Sequence, residues 1–154
     1  EIFICQDADD IPHPQRIEVI KYFFNKLQLD FLLHKFIYNN ESLPPVGDMS
    51  TIHYSYLKTY HDAWAVGYML FGQPAIHRRV FDKIKWKDIP IDEDNTFANQ
   101  VITTFNNCIM IKSTLYIYRL ELSTTPYELY KNNFLSKRRL TDRKQRYKIQ
   151  IFEL

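Results

Sequence analysis

The run Asp7-Ala8-Asp9-Asp10 sets three carboxylates within four residues, directly after the apolar stretch Ile2-Phe3-Ile4-Cys5. Open α/β sheets bind their ligands beyond the carboxyl ends of their strands, so aspartates clustered at a strand end stand where chemistry is done. Hard divalent cations take oxygen donors, and Mg²⁺ is commonly held by one or two carboxylates together with substrate phosphates. The cluster therefore suits a cation-diphosphate site, with an acidic turn as the plainer explanation. The acidic strand end of a nucleotide triphosphatase is a further candidate, but it needs a glycine-rich phosphate loop. The three glycines, Gly47, Gly67 and Gly72, form none. A second acidic pair, Glu93-Asp94, precedes Phe97, Val101, Ile102 and Phe105. It falls at a helix N-terminus, where backbone amides stabilise a carboxylate whether or not it is catalytic.

The elements that must hold these groups follow from periodicity. Ile2 to Cys5 reads as a buried strand, and Pro12-His13-Pro14 marks a turn with Pro14 placed for a helix start. Ile17, Ile20, Phe23, Phe24 and Leu27 give one apolar helical face. Asp30 to Tyr38 reads as a second strand, followed by a loop through Pro44-Pro45-Val46-Gly47. Over Tyr54 to Phe71 the spacing predicts a helix in the second half, ended by Gly72. Pro74 to His77 reads as a short strand and Arg79 to Ile84 as a helical turn. Cys108 to Ile111 and Leu115 to Tyr118 read as two short strands. After Thr125-Pro126 the chain reads as a basic helical extension, so the expected division is 1–125 and 126–154. The implied class is α/β, a mixed sheet flanked by helices.

The motifs fall in an order: Asp7-Ala8-Asp9-Asp10, Gly72-Gln73-Pro74 with Arg78-Arg79-Val80-Phe81, Glu93-Asp94-Asn95-Thr96-Phe97-Ala98, and Leu115-Tyr116-Ile117-Tyr118-Arg119. In this order and spacing, up to about Arg119, the chain resembles the family 2 glycosyltransferases of the GT-A fold, from their Asp-x-Asp strand onward. The resemblance implies a partial GT-A domain that moves a sugar from a nucleotide-diphosphate donor to an acceptor hydroxyl on a glycan, lipid or protein. It implies that Asp9 contacts a Mn²⁺ or Mg²⁺ ion, that Asp7 lies near the ribose or metal, and that Asp94 is the catalytic base of an inverting transfer. Arg119 is expected near the metal-diphosphate end, neutralising charge, with a salt bridge anchoring the last strand as the alternative. Relatives often carry a His shortly after the Tyr-Arg pair. Here Glu121 stands at that position, as a third metal ligand or a surface glutamate. The rival readings are a non-catalytic glycan-binding or scaffold domain and a metal-dependent phosphoesterase using the same aspartates.

Composition bounds the remainder. The chain has 154 residues, 45% of them apolar, which is enough for one core, and a formal charge of +2 that implies no general polyanion partner such as nucleic acid. Cys5 and Cys108 lie in apolar runs and read as buried free thiols, which favours a reducing, cytoplasmic compartment. The opening strand and the lack of an initiator Met read as a chain that begins within a domain, with the donor nucleoside pocket expected upstream. His53, His61 and His77 have no metal-ligand spacing and read as structural. Trp64, between Tyr60 and Tyr68, reads as core before it reads as a sugar-stacking face. The basic tail offers a face to phosphate or an anionic membrane surface, with a solvated helix as the plainer account.

Overall fold

The computed structural model describes residues 1–8, 10–38, 42–59, 73–86, 93–119 and 150–152. In chain order the elements are β1 (Ile2–Ile4), β2 (Ile11–Pro12), α1 (Arg16–Leu27), β3 (Phe31–Tyr38), a 3₁₀ turn (Met49–Thr51), β4 (Tyr54–Tyr56), β5 (Ala75–His77), α2 (Val80–Lys83), α3 (Glu93–Thr104), β6 (Cys108–Tyr118) and β7 (Gln150–Phe152). The strands form one mixed sheet in the order β2-β6-β3-β5-β1-β7, and β4 also pairs with β6. β5 is antiparallel to both β1 and β3, and β3 is parallel to β6. The strands β1, β3 and β6 therefore run in one direction and end at a common edge.

Alternation along the strands explains the two cores. Ile2 and Ile4 of β1, Leu32 of β3 and Ile109 and Ile111 of β6 face α1, which contributes Val19, Ile20, Phe23 and Phe24. Cys5, Phe31, Leu33, Cys108 and Met110 face the other way, onto Phe97, Ala98, Val101 and Ile102 of α3. The period of two in the strands and the i, i+3, i+4 spacing in the helices thus meet as three layers, a helix on each face of the sheet. α3 turns into β6 through 105–107, and the Cys108 thiol lies 3.5 Å from the Phe105 carbonyl and 4.0 Å from that of Val101. Phe97 of α3 stacks on Trp86 and Phe81, at centroid distances of 4.4 and 5.7 Å.

Several elements depart from the expectation. The segments Cys108 to Ile111 and Leu115 to Tyr118 form one strand, because the polar residues between them are absorbed in a register shift. His34 faces Ile111 and the next pair is Lys35 with Thr114, while the Lys112 amide donates to the His53 carbonyl at 2.8 Å. Pro12, expected as the start of a turn, instead pairs together with Ile11 along the edge of β6, where a proline without an N–H is tolerated. Gln150–Phe152, within the stretch expected to be helical, pairs antiparallel with β1 and gives that strand a partner on its second side. The helix expected before Gly72 lies outside the described residues, as does nearly all of the basic extension. No helix among the described residues is long and apolar enough to cross a membrane.

Both cysteines are free and buried, as expected. Burial pushes each thiol up to about 12, with the nearby Arg16 guanidinium opposing the rise at Cys5. A thiol that stays protonated at neutral pH is a poor nucleophile. Ellman's reagent at pH 7.5 is expected to titrate neither cysteine in the native protein and both in denaturant. Native labelling within minutes would show that the core beneath α3, which holds both cysteines, opens readily.

Candidate active site

β1 delivers its acidic run to the common edge, where the end of β6 holds it. Asp10 is 8% exposed, and both of its carboxylate oxygens are engaged by residues more than a hundred positions away. The Tyr116 hydroxyl donates to Oδ2, and the Arg119 amide donates to Oδ1 at 2.8 Å. The same hydroxyl lies 3.4 Å from Oδ2 of Asp7, which is half-buried. Gln6 closes the turn from within, its Nε2 donating to the carbonyls of Asp7 at 2.8 Å and Asp10 at 3.3 Å. Burial, reinforced by the carboxylates of Asp7 and Asp10, pushes the Tyr116 hydroxyl well above its ordinary value. It remains a neutral donor at any physiological pH.

Beneath this layer lies Arg16, the first residue of α1 and only 2% exposed. Its guanidinium fans out to three acceptors: Nε to His34 Nε2 at 2.9 Å, one terminal nitrogen to Gln6 Oε1 at 2.5 Å, and the other to the Cys5 carbonyl at 2.8 Å. Its central carbon sits 5.4 Å above the Tyr116 ring. Burial lowers its pKa to about 10, with Tyr116, Cys5 and Asp7 opposing, so it remains a cation at neutral pH. His34 accepts from Arg16 on Nε2. Its proton must then reside on Nδ1, which donates to the Lys35 carbonyl at 3.0 Å. Burial first, and the neighbouring guanidinium second, hold His34 neutral well below the usual imidazole range. Gln73, from the expected Gly-Gln-Pro motif, donates to the His34 carbonyl at 2.6 Å and ties β3 to the segment leading into β5.

The site residues expected from sequence divide into three groups. Asp7 and the Arg119 backbone come together around Asp10 and Tyr116. Asp94 lies in the first turn of α3, half-buried, with Oδ1 accepting from the Asn95 amide at 2.8 Å. Its helix packs on the sheet face opposite α1. Asp9 and Glu121 lie outside the described residues, with His61 and Trp64. His53 is exposed, and His77 accepts from the Arg79 amide at 3.2 Å near the opposite edge. Arg16, His34, Gln6 and Tyr116 had no assigned role. The one local signal was His34, an imidazole directly after the apolar run Phe31-Leu32-Leu33, which must find a partner when buried.

The donor set bears on the metal. Among the described residues, no group of three or more His, Cys, Asp or Glu side chains could hold an ion. Asp10 is committed to Tyr116 and Arg119, and Asp7 is the partly exposed carboxylate beside it. That set does not make a protein-only cage. A cation held there would need donors beyond these residues. A cavity of about 340 Å³, lined by Glu1, Lys21, Gln28, His77 and Arg79, lies at the other edge of the sheet, away from the acidic run. The acidic edge is the better candidate, because the parallel strands end there and two carboxylates converge there on one hydroxyl. In comparisons with known proteins, no family matches the chain and no curated protein matches it.

Proposed function

We propose that the chain is part of a metal-dependent, inverting glycosyltransferase domain of the GT-A type, acting on a nucleotide-diphosphate sugar and an acceptor hydroxyl. What supports the reading is the meeting of Asp7 and Asp10 with the end of β6, together with a helix packed on one face of the sheet that carries Asp94 in its first turn. Ligands of open sheets bind beyond the carboxyl ends of the strands, where the acidic run begins. A divalent cation bound there would neutralise charge on the departing diphosphate. Within the chain, Asp7 and Asp9 would face that cation. Asp94 would accept the proton of the acceptor hydroxyl as its oxygen attacks the anomeric carbon. Tyr116 contacts the carboxylates of Asp7 and Asp10, and Arg119, whose amide touches Asp10, would lie beside the diphosphate. The mixed α/β sheet with a helix on each face supports this reading at the level of architecture, and the motif order supports it at the level of family.

Cation binding is the direct test. Calorimetric titration of Mn²⁺ into the full-length protein, with UDP or GDP present, is expected to show binding that Asp9→Ala abolishes. Unchanged binding in that variant removes Asp9 from the site. Hydrolysis of phosphoesters without sugar transfer would select a phosphoesterase in its place.

A further inference from the structure

The cavity of about 340 Å³ lies where β1 and β3 begin and β5 ends, with the last turns of α1 as its wall. Its polar lining is rich in donors. Arg79 is fixed on two sides, Nε donating to Asp30 Oδ1 at 2.5 Å and one terminal nitrogen to the Gln28 carbonyl at 2.8 Å, which leaves Nη1 for a ligand. His77 Nδ1 accepts from the Arg79 amide at 3.2 Å, so the proton of the neutral ring stands on Nε2. Neither that nitrogen nor the exposed Lys21 ammonium has a hydrogen-bond partner among the described residues. The carboxylates nearby are committed: Glu1 is held by Arg78 at 2.9 Å, and Asp30 by Arg79. The end of α1 contributes about half an elementary negative charge. Gln28 offsets part of that, its amide donating to the Phe24 carbonyl and its side chain to that of Asn25. Gln28 does so with φ at 53°, costly for a residue with a Cβ, and in that conformation its carbonyl meets Arg79. The full charge of Lys21 therefore decides the sign of the site.

We propose that this cavity binds a phosphoryl group, as free phosphate or as the phosphate monoester of a small molecule, held by Lys21 Nζ, His77 Nε2 and Arg79 Nη1. The proposal is independent of the glycosyltransferase reading, because the site lies at the sheet edge opposite the acidic run. A ligand that meets N–H donors must bring acceptors, and beside an uncompensated ammonium it must bring negative charge. Lys21 comes from α1, His77 from β5 and Arg79 from the residues after it, so the donors approach from more than one side. That suits a group with several terminal oxygens better than a planar carboxylate with two. An arginine already fixed at Nε and one terminal nitrogen presents its remaining nitrogen in a set direction, so little ordering is left to do on binding.

Calorimetric titration of the full-length protein at neutral pH and low salt, with inorganic phosphate and glycerol 3-phosphate as separate titrants, tests the site. The wild-type protein is expected to bind, and the tighter of the two titrants identifies the source of the phosphoryl group. Lys21→Met is expected to weaken binding ~10-fold and His77→Phe ~3 to 10-fold, the usual loss with one charged or one neutral hydrogen bond. Neither side chain is buried, so both variants should fold, which circular dichroism checks. Lys112→Met, an exposed lysine on β6 outside the cavity, is the control and should leave affinity unchanged. No binding of either titrant by the wild type would overturn the proposal. So would wild-type affinity in both Lys21→Met and His77→Phe, or an equal loss in Lys112→Met, which would mark general surface attraction. Acetate binding as tightly as phosphate would overturn the choice of a phosphoryl group. None of these outcomes touches Mn²⁺ binding or sugar transfer, so the two readings fail separately.

Discussion

Under the proposed glycosyltransferase reading, replacing Asp94 with Asn is expected to abolish sugar transfer while leaving the fold intact. A positioned general base is worth ~10² to 10⁴ in rate, and an amide cannot accept the proton. The structural side of the substitution is small. The Asp94 Oδ1 accepts from the Asn95 amide, and Asn keeps an oxygen at that position, so most of the local stabilisation survives. Even complete loss of a carboxylate at a helix start costs only about 0.5 to 2 kcal/mol. Base and cap therefore give separable signatures, one in turnover and one in thermal midpoint. Both are to be measured on the full-length protein, using whichever nucleotide sugar supports transfer by the wild type. Glu93→Gln is the neighbouring control and is expected to be milder in rate. Near wild-type transfer by Asp94→Asn would end the base assignment and return the pair to helix stabilisation.

What was legible beforehand follows the range of the forces involved. The apolar faces of α1 and α3 and the strands β1, β3 and β5 are local patterns, and the structure places them within a residue or so of the expected spans. The pairing of strands is not local. Nothing in Cys108–Tyr118 announces that Lys112 and Ser113 sit in a register shift against β3, because that shift is set by the partner strand. The same holds for Ile11–Pro12 and Gln150–Phe152, whose short sequences become strands through the edges they meet. In the site, the acidic run and its strand-end position could be read directly, and so could the helix start at Asp94. The difference between Asp7 and Asp10 could not, since it is made by a tyrosine and a backbone amide more than a hundred residues away. Arg16 was equally hidden. In sequence it is a charge at a helix start beside Glu18, and only the closed fold shows it turned inward beneath the loop.

Arg16→Met is the substitution expected to cost the most stability. Methionine fills a similar volume, but it removes the donors that serve His34 Nε2, Gln6 Oε1 and the Cys5 carbonyl. A buried acceptor left unpaired costs about 1 to 3 kcal/mol. Relief from burying a cation offsets part of the sum, so the net loss is expected near 3 kcal/mol by chemical denaturation, within the range for breaking a buried charged network. Arg16→Lys should fall between, because one ammonium cannot reproduce a three-way fork. A pH series separates this account from a simple packing defect. His34 is held neutral in the native protein, whereas in the unfolded chain it titrates near 6.5. Below that value the unfolded state binds a proton that the native state refuses. Stability should therefore fall as pH drops from 6.5, by at most about 1.4 kcal/mol per pH unit from this one group. Part of the refusal comes from the adjacent guanidinium. In Arg16→Met, His34 should accept a proton more readily, and its share of the acid slope should shrink. A variant within about 0.5 kcal/mol of wild type, with an unchanged acid slope, would show that the three acceptors find other partners. It would also show that Arg16 is not what holds the floor of the acidic loop.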